Sequence, residues 1–528
     1  MRNIAYGLLI AVALIMVYTA VQYVREEIEI GPSKRAVLAM TSDQYPPVLA
    51  SPGSVSALAA PPNIVIILAD DLGWRDVGYN KSEVRTPVID RLASEGITLN
   101  RFYAQPTCSP TRAALMTGKS PLRLGIVGPL PKNAPTGLPL SEKTLADQLG
   151  AAGYQTALVG KWHLGGRDLD YHPNRRGFDH FYGHVTGGVG YYDKVHGGGY
   201  DWQRNGETLR EDGYTTHLIA SEAVRLIEER DPERPLFLYA AFGAPHLPNE
   251  APEASIDAYR RIGDKKRRVH AAMVSELDTA IGTIQGALEA AGIEDNTLIW
   301  FMSDNGGLVA KNLVRHVPDP FFTGLVESAM GIETNPQSID FIRTNLRDGR
   351  SDNRPFKGAK GAVSEGGVRV PSFIYWPNQF DSNVYNHMVT VQDVMPTLLR
   401  LSGRSESEID FDGRDLFDGL KTNMPAPPTD YFIKATLMSD ATAIYRYPYK
   451  LIKNSRGLRL YDLENDPLEQ KNVAGDYPGL VTKLANDLAN FPQAEPIGVP
   501  LQDLMDDPDF FGGEEDRAPW VDQAYETH

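Results

Sequence analysis

Between residues 63 and 303 the chain alternates unbroken apolar runs with longer stretches whose apolar positions fall three or four apart. Residues 63–69, 153–159, 235–241 and 296–302 are the four runs. Runs of that kind predict parallel strands buried on both faces. The stretches between them predict helices. Thr86-Pro87 opens one through Ala93, with Val88, Ile89 and Leu92 inward. Residues 145–149 continue in helical pattern, and residues 217–229 carry Ile219, Ala223 and Ile227 on one stripe. Residues 264–291 carry Val269, Met273, Leu277, Ile281, Ile284 and Leu288 at helical spacing, a core stripe. Strands alternating with helices predict an α/β fold around an open parallel sheet.

Either side of this body the pattern changes. Residues 3–24 contain no charge, the length of a membrane span, and Arg2 precedes them. A signal peptide has a shorter apolar core and a small-residue cleavage site, so the run reads as an uncleaved anchor. Either reading exports the protein, anchored or secreted after cleavage. Residues 25–61 form a tether without periodicity. The folded body starts at Pro62 and its main domain extends to residue 422. Within it, residues 308–353 look like an insertion with helical pieces near 321–330 and 338–346. Residues 373–377 add a strand. The proline-rich segment 423–428 is a linker. Short strands at 449–452 and 458–461 follow, then a helix with Leu480, Leu484 and Leu488. Residues 423–501 thus predict a small antiparallel sheet with a packed helix. Residues 502–528 hold nine acidic residues and one arginine, a solvated tail.

Composition narrows the function classes. With 528 residues, 42% hydrophobic and 23% charged, the chain has ample core. A formal charge of −16 argues against a nucleic-acid binder. It leaves an anionic substrate open, because local fields override the sum. The single cysteine excludes an intrachain disulfide.

Candidate chemistry sits where the strands stop. The four runs end at Asp70-Asp71, at Gly160-Lys161-Trp162-His163, at Pro245-His246 and at Asp304-Asn305. Ligands of open parallel sheets bind outside the carboxyl ends of the strands, so these groups converge on one rim. Oxygen donors from Asp70, Asp71, Asp304 and Asn305 describe a hard divalent cation site. Taken singly, an acid pair also fits a solvated turn. Lys161 and His163 could hold an anion and move a proton. The Gly-, His- and aromatic-rich residues 177–192 suit a pocket wall that contacts sugars. The only cysteine lies in residues 107–118, Thr-Cys-Ser-Pro-Thr-Arg-Ala-Ala-Leu-Met-Thr-Gly. Pro110 and the residues after it predict a helix with Cys108 at its N-terminus. An anion there would be stabilised and a thiolate unusually reactive. The alternative is a small buried hydrophobe.

The Cys-x-Pro-x-Arg stretch, followed by a small-residue helix and Thr-Gly, resembles the signature of the type I sulfatases. The resemblance extends over Asp70-Asp71, residues 153–165, Ala244-Pro245-His246, residues 303–307, Lys360 with residues 365–371, and the C-terminal block 460–467. It is nearest to arylsulfatase B-like members acting on sulfated sugars. It implies a large mixed, mostly parallel sheet between helices, related to alkaline phosphatase, with a small C-terminal sheet domain. It also implies that a maturation enzyme oxidises Cys108 to formylglycine, whose hydrate is the nucleophile, and that the substrate is a sulfated carbohydrate or aryl sulfate. Asp70, Asp71, Asp304 and Asn305 would bind calcium with the modified Cys108. Arg112 would hold the hydrate, and Lys161 and Lys360 the sulfate oxygens. Asp304 would deprotonate the nucleophile. His246 would be the acid for the leaving alcohol, and His163 the base of the second step. Lys357 competes with Lys360 for its role. Where some relatives carry a serine on the sulfate, this chain has Thr186, Gly187 and Gly188. Two other readings share the metal residues or the pocket: a phosphoester or phosphonate hydrolase, and a non-catalytic receptor for sulfated glycans.

Overall fold

In the computed structural model, ten strands form one sheet. In chain order they are β1 (Asn63–Ala69), β2 (Ile97–Leu99), β3 (Gln155–Lys161), β4 (His180–His184), β5 (Gln203–Arg204), β6 (Glu207–Thr208), β7 (Leu236–Ala241), β8 (Thr297–Ser303), β9 (Ser372–Tyr375) and β10 (Asn383–Tyr385). Their order across the sheet is β10-β2-β9-β8-β1-β7-β3-β4-β5-β6. The central five, β8, β1, β7, β3 and β4, are parallel, and antiparallel pairings flank them. The structure describes residues 61–497 except 132–133, 135, 167, 197–198, 311–347, 404–408 and 436–438. The expected anchor, almost all of the tether, the helical pieces of the insertion and the acidic tail lie outside the described residues. Among the described residues no helix is long and apolar enough to cross a membrane.

Alternate residues of β1 enter two separate cores, which is what a strand buried on both faces requires. Ile64, Ile66 and Leu68 pack with helices α2 (Cys108–Thr117), α3 (Leu145–Ala151) and Val394–Leu401. Val65, Ile67 and Ala69 pack with α1 (Pro87–Glu95), Thr215–Glu228 and Lys265–Ala290 on the other face. Among the described residues, the predicted helices and strands lie where the pattern put them, with ends shifted by a few residues. Five strands of the sheet were not anticipated. β2 and β10 are three residues each and β5 and β6 two, too short for a periodic signal, and β4 mixes polar and aromatic residues. At the middle of the rim, β3, β4 and β7 approach closely at Gly160, whose φ is 105°. A Cβ there would come within 1.9 Å of the Ala241 carbonyl oxygen.

Strands Tyr431–Lys434, Thr442–Arg446, Tyr449–Asn454 and Gly457–Asp462 form a separate antiparallel sheet. One face carries the helix Pro478–Asn490 through Leu484 and Leu488. The other packs on Tyr103, Val363 and Val368 of the main body. A fully buried ionic cluster joins the two. Lys450 lies 3.2 Å from Glu365 and 2.6 Å from Glu469, and Tyr103 and Tyr445 donate to Glu365 at 2.9 and 3.0 Å. Removing the cation would leave two buried carboxylates facing each other. Lys450→Met should therefore cost about 3–5 kcal/mol at neutral pH in denaturant unfolding. Burial, then repulsion from Glu365, already raises the Glu469 pKa against the pull of Lys450. A raised carboxyl pKa makes the folded state bind protons first, so the loss should shrink as pH falls below neutrality.

Candidate active site

The parallel register brings the predicted strand ends together. Asp70 and Asp71 follow β1, Lys161 closes β3, Phe242 to His246 follow β7, and Asp304 and Asn305 follow β8. Lys161 is thus the last residue of a strand that runs two residues beyond the predicted apolar run. Asp71 and His163 both hold φ near 60° (64° and 59°), uncommon for residues with a Cβ. Such conformations persist where surrounding contacts fix them, here at the rim itself.

Helix α2 brings Cys108 to this rim from the first core, with Thr107 as its cap. The thiol Sγ lies 3.4 Å from Asp70 Oδ1. Arg112, one turn on and fully buried, donates to Asp304 Oδ2 through Nη2 at 2.9 Å and Nε at 3.2 Å, and to the Lys161 carbonyl at 2.8 Å. Lys161 Nζ lies 2.5 Å from Asp70 Oδ2. Burial, then Asp304 and Asp70, push the thiol pKa up, against the direction a helix N-terminus favours. Burial alone would raise the Asp70 pKa too, but Lys161, His246 and Arg112 hold it well below the usual range. Asp304, pushed by burial and by Asp70 against Arg112, rises to about 6.

Asp71 receives the Lys360 ammonium at 2.7 Å and the Asn305 Nδ2 at 2.7 Å. Lys357 is exposed and its carbonyl accepts from Gly366, so Lys360 is the lysine at the site. Among the described residues, ligand atoms of Asp70, Asp71, Cys108 and His246 lie within 4.8 Å of one another. Asp304 joins this group through the Asp71 amide, at 3.3 Å, and Asn305 Oδ1 is buried with no hydrogen-bond partner. Carboxylates and an orphaned amide oxygen suit a hard divalent cation such as calcium. The sulfur of Cys108 is the soft member of that set, and oxidation of the side chain to formylglycine would replace it with oxygen.

Each histidine has one ring nitrogen fixed by a carbonyl. His246 Nδ1 lies 2.7 Å from the Leu247 oxygen, and Nε2 is 3.8 Å from Asp71 Oδ2. His163 Nε2 lies 3.0 Å from the Leu130 oxygen, while Nδ1 is buried with no partner. A carbonyl accepts only from N–H, so the lone pair falls on Nε2 of His246 and on Nδ1 of His163. Burial, then the charge of Lys161, holds the His163 pKa well below its usual value. Burial and Lys360 lower His246 against Asp70 and Asp71.

Sequence reading missed several supports. The Ser109 hydroxyl donates to the His163 carbonyl at 2.9 Å and accepts from the Leu130 amide at 3.0 Å, tying both fixed points of that ring. Its place between Cys108 and Pro110 was the available signal. Gly187 and Gly188 lie against the two rings: a Cβ would fall 2.8 Å from His163 Nε2 and 3.1 Å from His246 Nδ1. A serine at either position would need its ring to move. Tyr191 places its hydroxyl 2.9 Å from the carbonyls of both Gly243 and His246, and with His184 it lines a small cavity behind His246.

Comparison with known proteins fits this site. The sulfatase family model matches residues 62–404. Arylsulfatase J of Mus musculus is 30% identical over 89% of this chain and 82% of its own. N-acetylgalactosamine-6-sulfatase of Mus musculus is 33% identical over 76% and 74%. Among solved structures, Ps i-CgsB in complex with k-i-k-neocarrahexaose has a TM-score of 0.72 at 29% identity, covering 83% of this chain and 94% of that one. The phosphonate monoester hydrolase of Agrobacterium radiobacter, with a TM-score of 0.53 at 20% identity over 81% and 95%, shares the fold.

Proposed function

The chain belongs to the sulfatase family, a family of sulfuric ester hydrolases, and from that premise we propose that it cleaves sulfate esters of carbohydrates at Cys108. The observation that carries this reading is the convergence of Cys108, Arg112, Lys161 and Lys360 with three carboxylates and two histidines on one rim. Formylglycine at position 108 would supply a geminal diol as nucleophile, and calcium held by Asp70, Asp71, Asp304, Asn305 and residue 108 would supply positive charge.

The remaining chemistry belongs to the chain's own side chains. Lys161 and Lys360 present ammonium groups to the sulfate oxygens and offset charge that redistributes in the transition state. Each is already anchored on a carboxylate, so little ordering remains to be done when substrate arrives. Arg112, locked between Asp304 and the Lys161 carbonyl one turn after position 108, would hold the hydrated side chain there. Asp304, held by Arg112 through Oδ2, would take the proton of the nucleophile. His246, protonated at Nε2 as the imidazolium, gives that proton to the departing alcohol, and the unpartnered Nδ1 of His163 takes the proton that ends the cycle. A maturation enzyme would act on residues 108–112 before they are buried. Export follows from the expected N-terminal segment.

The scaffold alone also fits phosphoester hydrolysis, and a direct comparison separates the two. An aryl sulfate should show kcat/KM at least about tenfold above the matching aryl phosphate, a transition-state difference of about 1.4 kcal/mol or more. A preference for phosphate would overturn the proposal.

A further inference from the structure

Resting on the carbohydrate reading, we propose that Tyr192 is a stacking platform for an uncharged sugar ring, on the alcohol side of the sulfate ester. Tyr192 is 48% exposed, one of few large apolar side chains so placed among the described residues. It follows Tyr191 in the chain, and the Tyr191 hydroxyl donates to the backbone carbonyl of His246, the proposed acid. Its backbone is held firmly. The buried Lys194 ammonium donates to the carbonyls of Tyr192, Glu211 and Gly213 at 2.9, 3.0 and 2.8 Å. The Tyr191 amide donates to Glu250 at 2.7 Å, and Tyr214 packs against both tyrosine rings, 5.1 Å from Tyr191 and 5.3 Å from Tyr192. A rigid, half-exposed aromatic face, next in the chain to the tyrosine that braces His246, offers a sugar contact area at small entropic cost.

The surrounding charge sets which sugar. Asp193, Glu211, Asp212, Glu250 and Glu276 lie around this wall. Its nearby basic side chains are engaged: Lys194 on three carbonyls, His217 on Glu276 at 2.5 Å, and Arg210 over the Tyr200 ring. An anionic sugar here would meet repulsion, whereas the ester being cleaved meets Lys161 and Lys360. The rim thus accepts sulfate at one position and disfavours it at the next.

The test uses the full-length matured protein and three probes: an aryl sulfate, a monosulfated disaccharide, and the same disaccharide with a second sulfate on the alcohol-side sugar. Wild type should favour the monosulfated over the doubly sulfated disaccharide. Tyr192→Ala should raise KM for the monosulfated disaccharide roughly 3–10-fold more than for the aryl sulfate, with Tyr192→Phe close to wild type. Glu276→Gln should narrow the gap between the two disaccharides. Equal losses on disaccharide and aryl sulfate, or a wild-type preference for the second sulfate, would overturn the platform alone. Failure of wild type to release sulfate from any probe would instead overturn the function on which it rests.

Discussion

Cys108→Ala should lower turnover of any sulfate ester by roughly 10⁴-fold or more, because it removes the nucleophile rather than a supporting contact. The fold should survive. Alanine continues α2, and the site loses one sulfur whose hydrogen bond among the described residues is the 3.4 Å approach to Asp70. Cys108→Ser should be nearly as inactive, since it offers one hydroxyl and no aldehyde. Steady-state rates together with thermal melting check both points. A melting curve near wild type with lost turnover is the expected pairing.

The second large effect concerns the two histidines. His246→Ala should slow hydrolysis of sugar sulfates by about 10²–10⁴-fold, the usual worth of a positioned general acid. The loss should be much smaller for an activated aryl sulfate, whose leaving group needs no proton. His163→Ala should also lose activity, but with little dependence on the leaving group, because its base acts after the alcohol has left. Burial and Lys360 hold His246 below the ordinary histidine value of about 6.5. The protonated acid therefore fades as pH rises from the acidic side. Turnover of sugar sulfates should fall with rising pH in wild type, and that limb should flatten in His246→Ala. A leaving-group dependence carried by His163 instead would reverse the two assignments.

Much of the site was readable because a strand buried on both faces has few places for polar residues except its ends. Asp70, Lys161, His246 and Asp304 stand out for that reason, and parallel register made four separate positions into one rim. Three things escaped this logic. The fifth parallel strand, β4, is rimmed by polar neighbours and carries His, Tyr and Gly, so it reads as pocket wall. The state of Cys108 depends on two carboxylates from distant strands, and the helix-terminus argument had no way to weigh them. The supports of the histidines, Ser109, Gly187, Gly188 and Tyr191, act through packing and backbone contacts that leave no pattern along the chain.

The most direct test of the central claim is the mass of the peptide containing Cys108, measured across preparations of differing specific activity. The account predicts an aldehyde at position 108, with activity proportional to the fraction of molecules that carry it. Full activity in a preparation whose Cys108 remains a thiol would contradict it.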